Sequence, residues 1–187
     1  PDLTRRYSNR DRFWRSFEER LGLNAAEQEP FFARFYAEVF PQLAPLTQRK
    51  EVAVPLVEYC FAQGWQVVVA TNPLFPQTAI EQRLAWAGLP VEKYPFALVT
   101  SFEFVHAAKP HPAYYAEILD LIGVQAEEAI MVGDDWKNDI QPAHKLGMRA
   151  YWIQLDQPGP PDAEMVVGWG TLADFYAGLQ NGAWGES

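Results

Sequence analysis

AIMVGDDWKNDI, residues 129–140, is the stretch whose reading decides the fold. Its first four residues, Ala129–Val132, are apolar and close on Gly133. Such a run, stopped by a glycine and turn formers, reads as a buried strand reaching its end. Asp134 and Asp135 follow at once, with a third acid at Asp139. The spacing therefore puts three carboxylates at the C-terminal tip of the strand. Acids this close repel one another unless a cation or a basic side chain sits among them. Oxygen-only ligands at a strand tip suit Mg²⁺, a hard ion that keeps several waters and bridges to phosphate. A second reading stands beside that one. Aspartate favours turns and helix N-caps, so the same residues can form a turn that caps the next helix.

On both sides of this stretch, strands and helices alternate. β-Branched or apolar runs predict strands at Gln66–Ala70, Phe96–Thr100, Ala129–Val132 and Arg149–Ile153, with a short fifth at Met165–Val167. Helices are predicted over Glu51–Gln63, over Gln77–Ala87, from Pro112 to Gly123, and from Asp139 to Gly147. This alternation implies an α/β, Rossmann-like fold, a mostly parallel sheet with helices on both faces. Residues 1–50 differ from this rhythm and read as helical and aromatic. Ser8 or Asn9 caps a first helix that Gly22 stops, and Asn24 with Glu27 opens a second that Pro41 ends. The stripe of Phe31, Phe32, Phe35 and Tyr36 reads as core. PQLAPLTQRK, residues 41–50, reads as a hinge, and QPGPP, residues 157–161, as a surface loop.

Open α/β sheets bind ligands at the C-terminal ends of their strands. Three predicted strands end in chemically useful residues: Thr71 and Asn72, the loop Ser101–Pro112 carrying Lys109, and Gly133 with Asp134 and Asp135. A hydroxyl donor, a point positive charge and an acidic cluster make a set for phosphate and Mg²⁺. Each part also has a plainer reading. Thr71 can make a local turn bond, and Lys109 can be a solvated loop lysine. His106 and His111, flanking Lys109, read as loop residues. The sequence has no G-x-x-x-x-G-K-[ST] loop, no G-x-S-x-G elbow and no EF-hand spacing after Asp134. Gly168-Trp169-Gly170 with Ala173 matches G-x-G-x-x-A, yet lies too near the end of the sequence for a βαβ unit.

The bulk properties narrow the classes further. The net charge of −9 is uneven: residues 1–50 carry nine Lys/Arg against seven Asp/Glu, and residues 51–187 six against seventeen. That acidic majority argues against a nucleic-acid partner. No apolar run has the length of a transmembrane helix, so no membrane partner is expected. A single cysteine, Cys60, rules out an internal disulfide and fits a reducing, cytoplasmic setting. The apolar run around it makes it a small buried hydrophobe.

Together these motifs resemble the haloacid dehalogenase superfamily, specifically its phosphatase-like members with a helical cap. VVVATNP looks like the second motif, AAKPHPAYY the third and MVGDDWKNDI the fourth, in family order. The resemblance implies Thr71 and Lys109 as catalytic residues, with Thr71, Asn72 and Lys109 binding phosphate. It implies Asp134, Asp135 and Asp139 as the Mg²⁺ group, Asp134 foremost; the other two would act through water or orient Lys109. It also implies a partial helical cap over residues 1–46 and a Rossmann-like core over residues 47–187.

The first motif of the family, a strand ending in DxDx(T/V), has no counterpart before Thr71. The only early aspartates, Asp2 and Asp11, lie in polar, arginine-rich surroundings. A missing nucleophile and a missing central strand lead to the expectation of an absent upstream segment and of a chain inactive as written. The function expected of the intact protein is a Mg²⁺-dependent phosphomonoester hydrolase acting on a small phosphorylated metabolite. A 2-haloacid dehalogenase and a non-catalytic phosphate- or Mg²⁺-binding scaffold are the alternatives.

Overall fold

Ser8 and Gly22 bound the first helix as their chemistry dictates. The Ser8 side chain accepts from the Asp11 amide, the Asp11 carboxylate accepts back from Ser8, and Gly22 closes the helix at φ 65°. That helix is α1, Asn9–Leu21, in a computed structural model that describes residues 5–154 and 159–184. The chain divides into two compact units, Pro1–Ala108 and Lys109–Ser187.

In the first unit, α1 is followed by α2, Ala25–Arg34. Asn24 caps α2 through the Ala26 amide. Pro41 does not end the coil, contrary to expectation. After α2 the chain loosens into a π-helical turn, Phe35–Val39, and then tightens into a 3₁₀ helix, Phe40–Leu46, where Pro41 occupies a tolerated first-turn position. The expected hinge is therefore helical as far as Leu46. The aromatic stripe also divides. Phe32 turns inward to Trp14 and Phe17, at ring distances of 5.6 and 6.0 Å, whereas Phe31 and Phe35 are exposed.

Helix α3, Ala53–Ala62, leads to strand β1, Val68–Val69; α4, Gln77–Trp86, leads to β2, Leu98–Val99. The two strands pair in parallel, Val68 with Leu98 and Val69 with Val99. Both are shorter than the runs that predicted them. The ladder stops where the Thr71 amide donates to the Thr100 side chain instead of a main-chain carbonyl. The first turn of α1 anchors the loop after β2: the amides of Asn9 and Arg10 donate to the Val105 and Phe102 carbonyls. Cys60 is half-buried, and burial pushes its thiol pKa up.

The second unit opens with α5, Pro112–Ile122, capped by the His111 ring, which accepts from the Ala113 amide. Strand β3, Ile130–Gly133, ends in a π-helical turn, Trp136–Ile140, that runs into α6, Gln141–Lys145. The predicted helix from Asp139 thus begins three residues early, because Asp135 caps it. Strand β4, Arg149–Ile153, is as predicted.

The fifth strand is not Met165–Val167. Asp162 caps a 3₁₀ turn over Ala163–Met165, and β5 is Gly168–Gly170. Its glycines are needed for close approach: a Cβ on Gly168 would stand 2.7 Å from the Trp184 ring. Helix α7, Leu172–Gln180, follows, capped by Thr171 and Asp174. The order β3-β4-β5 is parallel throughout, with Gly133 opposite Trp152. Residues 157 and 158 of the expected surface loop, like Asp2, lie outside the described residues.

Two of these caps carry a pH dependence. Ser8 holds Asp11 below the ordinary carboxylate value of 3.8, first through its backbone amide and then through its hydroxyl. Thr171 holds Asp174 below the same value, first through its hydroxyl. A depressed native pKa gives stability that is complete above 3.8 and is lost as the pH falls through the lowered native values. The thermal midpoint is therefore expected to drop below about pH 4. In the double variant S8A/T171A that acid-side drop should be shallower, as scanning calorimetry across pH would read.

Candidate active site

The three carboxylates at the tip of β3 have three different environments. Asp139 is buried, and its Oδ1 lies 2.6 Å from Lys109 Nζ. The two side chains are 6% and 9% exposed, so this is an interior ion pair and not a surface one. Asp139 Oδ2 also accepts from the Asp135 amide at 3.1 Å. Lys109 lies over the Tyr114 ring, 6.0 Å from its centre. A buried counter-ion at this distance holds the Lys109 side chain in position.

Asp135 closes the turn. Its Oδ1 accepts from the Lys137 and Asn138 amides at 3.0 and 2.9 Å, and its Oδ2 from the Asn138 side chain at 2.7 Å. The Asn138 amide, more than any other contact, holds its carboxyl below the usual range. The capping reading of the sequence is therefore correct for Asp135.

Asp134 is exposed, and its carboxylate accepts from no group among the described residues. Its main-chain carbonyl, in contrast, accepts from the Trp152 indole at 3.0 Å. Further along the turn, the Tyr115 hydroxyl donates to the Asn138 carbonyl. Burial, then the charge of Asp139, pushes the Tyr115 phenol pKa well up, so it stays protonated as a donor.

Among the described residues no three His, Cys, Asp or Glu side chains gather to hold a metal. The donor set still fits a hard cation that binds through one or two carboxylates, substrate phosphate and water. Of the three carboxylates, Asp134 is the one without a hydrogen-bond partner among the described residues, whereas Asp135 is engaged by the turn and Asp139 by Lys109 and the Asp135 amide.

Thr71 and Asn72 belong to the first unit. The Thr71 hydroxyl donates to the Thr100 carbonyl at 3.1 Å, and its amide donates to Thr100 Oγ1 at 2.9 Å. Thr100 is fully buried. The Thr71 side chain is thus bonded across to the neighbouring strand end, twenty-nine positions away, and not within the local turn that the plainer sequence reading expects. Asn72 is exposed at the end of β1.

Sequence reasoning did not single out Trp152, Tyr115 or Thr100. Trp152 had a usable signal: it stands on a predicted strand, pairs with the glycine at the acidic tip, and carries a single N–H that needs an acceptor when buried.

Residues 4–147 match the model of the haloacid dehalogenase-like hydrolases. A phosphoserine phosphatase of Thermus thermophilus is 31% identical over 168 residues, covering 86% of this chain and 64% of that protein. A phosphoglycolate phosphatase of Pectobacterium atrosepticum is 34% identical over 64% of this chain and 47% of its own length. The chain thus spans less than two thirds of these relatives. An HAD phosphatase from Thermococcus onnurineus has a crystal structure that superposes with a TM-score of 0.62. It is 22% identical, covering 89% of this chain and 86% of that one, a likeness of fold.

Proposed function

The chain belongs to the haloacid dehalogenase-like hydrolases, and from that membership we propose a Mg²⁺-dependent phosphomonoester hydrolase for small phosphorylated substrates. The observation that carries this reading is the division of labour at the tip of β3. A buried Lys109–Asp139 pair presents a fixed cation, and beside it Asp134 is left open to hold another. Lys109 would bind a phosphoryl oxygen with the protons not directed at Asp139. Asp134 would ligate Mg²⁺, which when bound neutralises charge on the transferring group. Asp135 and Asp139 serve by shaping the turn and orienting Lys109.

Thr71 and Asn72 are proposed as phosphoryl ligands of the first unit. For that role the Thr71 hydroxyl must rotate away from the Thr100 carbonyl. Residues 1–46 as a substrate-selecting cap and residues 47–187 as the core is the domain division we propose. We propose a cytoplasmic setting; no helix among the described residues is long and apolar enough to cross a membrane.

The resemblance to the family implies a carboxylate nucleophile for the attack on phosphorus. Asp11 is an unsuitable one, since its carboxylate caps α1. The test is release of phosphate from an aryl phosphate with Mg²⁺, by the 187-residue chain and by a form extended with the codons read ahead of Pro1. The expected result is background turnover by the first and EDTA-sensitive turnover by the second. Brisk turnover by the 187-residue chain would show that the nucleophile lies within these residues. Halide release from a 2-haloacid, unaffected by EDTA, would replace the phosphatase reading with the dehalogenase one.

A further inference from the structure

Asp134 combines an unpartnered carboxylate with a tethered main chain. The Trp152 indole donates to its carbonyl at 3.0 Å, and Trp152 itself is 8% exposed. The ring is held from two sides. It lies in a small core with Ile140 and Ala150, and Trp136 meets it edge-on at 5.2 Å. The β3–β4 register sets Trp152 opposite Gly133, one residue before the carbonyl it binds.

An indole has one donor and no acceptor, so a ring fixed by packing can bind only a carbonyl turned towards it. Fixing that carbonyl fixes the plane of the 134–135 peptide, and with Gly133 held in the ladder on the other side this sets the direction in which the Asp134 side chain leaves the backbone. Beyond Asp134 the turn is already anchored, by Lys109 on Asp139 and by Tyr115 on the Asn138 carbonyl. The Trp152 bond is the anchor on the Asp134 side. Pairing of buried indoles is not automatic in this protein: Trp14 and Trp184 have buried indole nitrogens with no partner.

We propose that Trp152 is a positioning residue for cation binding: its indole holds the Asp134 carbonyl inward, which keeps the Asp134 carboxylate presented to a divalent ion. The proposal rests on the reading of Asp134 as cation ligand. Groups that orient ligands from behind typically change metal affinity by about 10–100-fold when removed.

The experiment is a Mn²⁺ titration of the 187-residue chain, with unbound ion read by electron paramagnetic resonance. W152F keeps an aromatic ring in place without the donor and should weaken Mn²⁺ binding about tenfold. W136F trims the packing partner without touching the hydrogen bond, and should leave affinity within about twofold. Equal losses in the two variants would make the role of Trp152 one of packing, and would overturn the proposal. D134N separates the two readings. If D134N binds Mn²⁺ as the parent does, or the parent binds none, the ligand assignment fails and the proposal with it. If D134N abolishes binding and W152F leaves it unchanged, only the positioning role fails.

A second measurement needs no variant and so does not depend on W152F folding. If the bond favours the ion, the ion must strengthen the bond by the same factor. Solvent exchange of the ¹⁵N-labelled Trp152 indole should slow on saturation with Mg²⁺, while the Trp14 and Trp184 indoles stay unchanged. An unchanged Trp152 exchange rate would overturn the inference.

Discussion

Gly133→Ala is expected to cost several kcal/mol and to lower the thermal midpoint by roughly 10 °C or more. A Cβ at this position would stand 2.5 Å from Asp139 Cβ and 2.6 Å from Asp139 Cγ. Neither side can yield easily. Gly133 is fixed by its pairing with Trp152 in the β3–β4 ladder. Asp139 is fixed by Lys109 and by the Asp135 amide. Overpacking alone costs about 1–3 kcal/mol, and displacing Asp139 adds the loss of a buried ion pair. Urea unfolding followed by circular dichroism measures the total. A loss below about 1 kcal/mol would mean that the acidic turn is much softer than the structure implies.

The second large effect belongs to the ion pair itself. Lys109→Met leaves the Asp139 carboxylate buried with a single amide donor, and Asp139→Leu leaves a buried ammonium over the Tyr114 ring. Each single change should cost about 3–5 kcal/mol, because one uncompensated charge remains in the interior. The double change removes both charges together and should cost clearly less than the sum of the two. The cycle of four proteins, unfolded under identical conditions, gives the coupling. Additive losses would show that the two groups act independently despite their 2.6 Å separation.

Much of the fold was legible because local chemistry and tertiary structure agree. Ser8 and Gly22 bound α1, Pro112 and Gly123 bound α5, and the β-branched and aromatic run at Arg149–Ile153 is a strand along its whole predicted length. Legibility failed where distant contacts set the local form. Strand β5 carries two glycines, poor strand formers, because the Trp184 and Tyr151 rings approach Gly168, and the Asp174 side chain and Tyr151 hydroxyl approach Gly170, too closely for a Cβ. The ladder between β1 and β2 is cut short by the Thr100 side chain, which no hydrophobic pattern encodes. At the acidic tip, spacing grouped the three carboxylates, and the rule that ligands bind at C-terminal strand ends added Lys109 to them. Their separate tasks depend on which way each turns. That is decided by Gly133 leaving room, by Lys109 arriving from thirty positions away along the chain, and by Trp152 on the neighbouring strand.

The division among the three aspartates also sets how the sequence can drift without loss. The work of Asp135 is to accept from two amides and one side chain at the start of a turn. Asparagine, serine and threonine keep an oxygen for the two amides and give up only the bond from the Asn138 side chain, so lineages can exchange them at this position at modest cost. Asp139 has no such latitude. Only a negative charge answers the buried ammonium of Lys109, and the Asp139 side chain fills the space that a Cβ on Gly133 would need. Positions 109, 133 and 139 are thus expected to change in concert or to stay as they are, while position 135 wanders among capping residues.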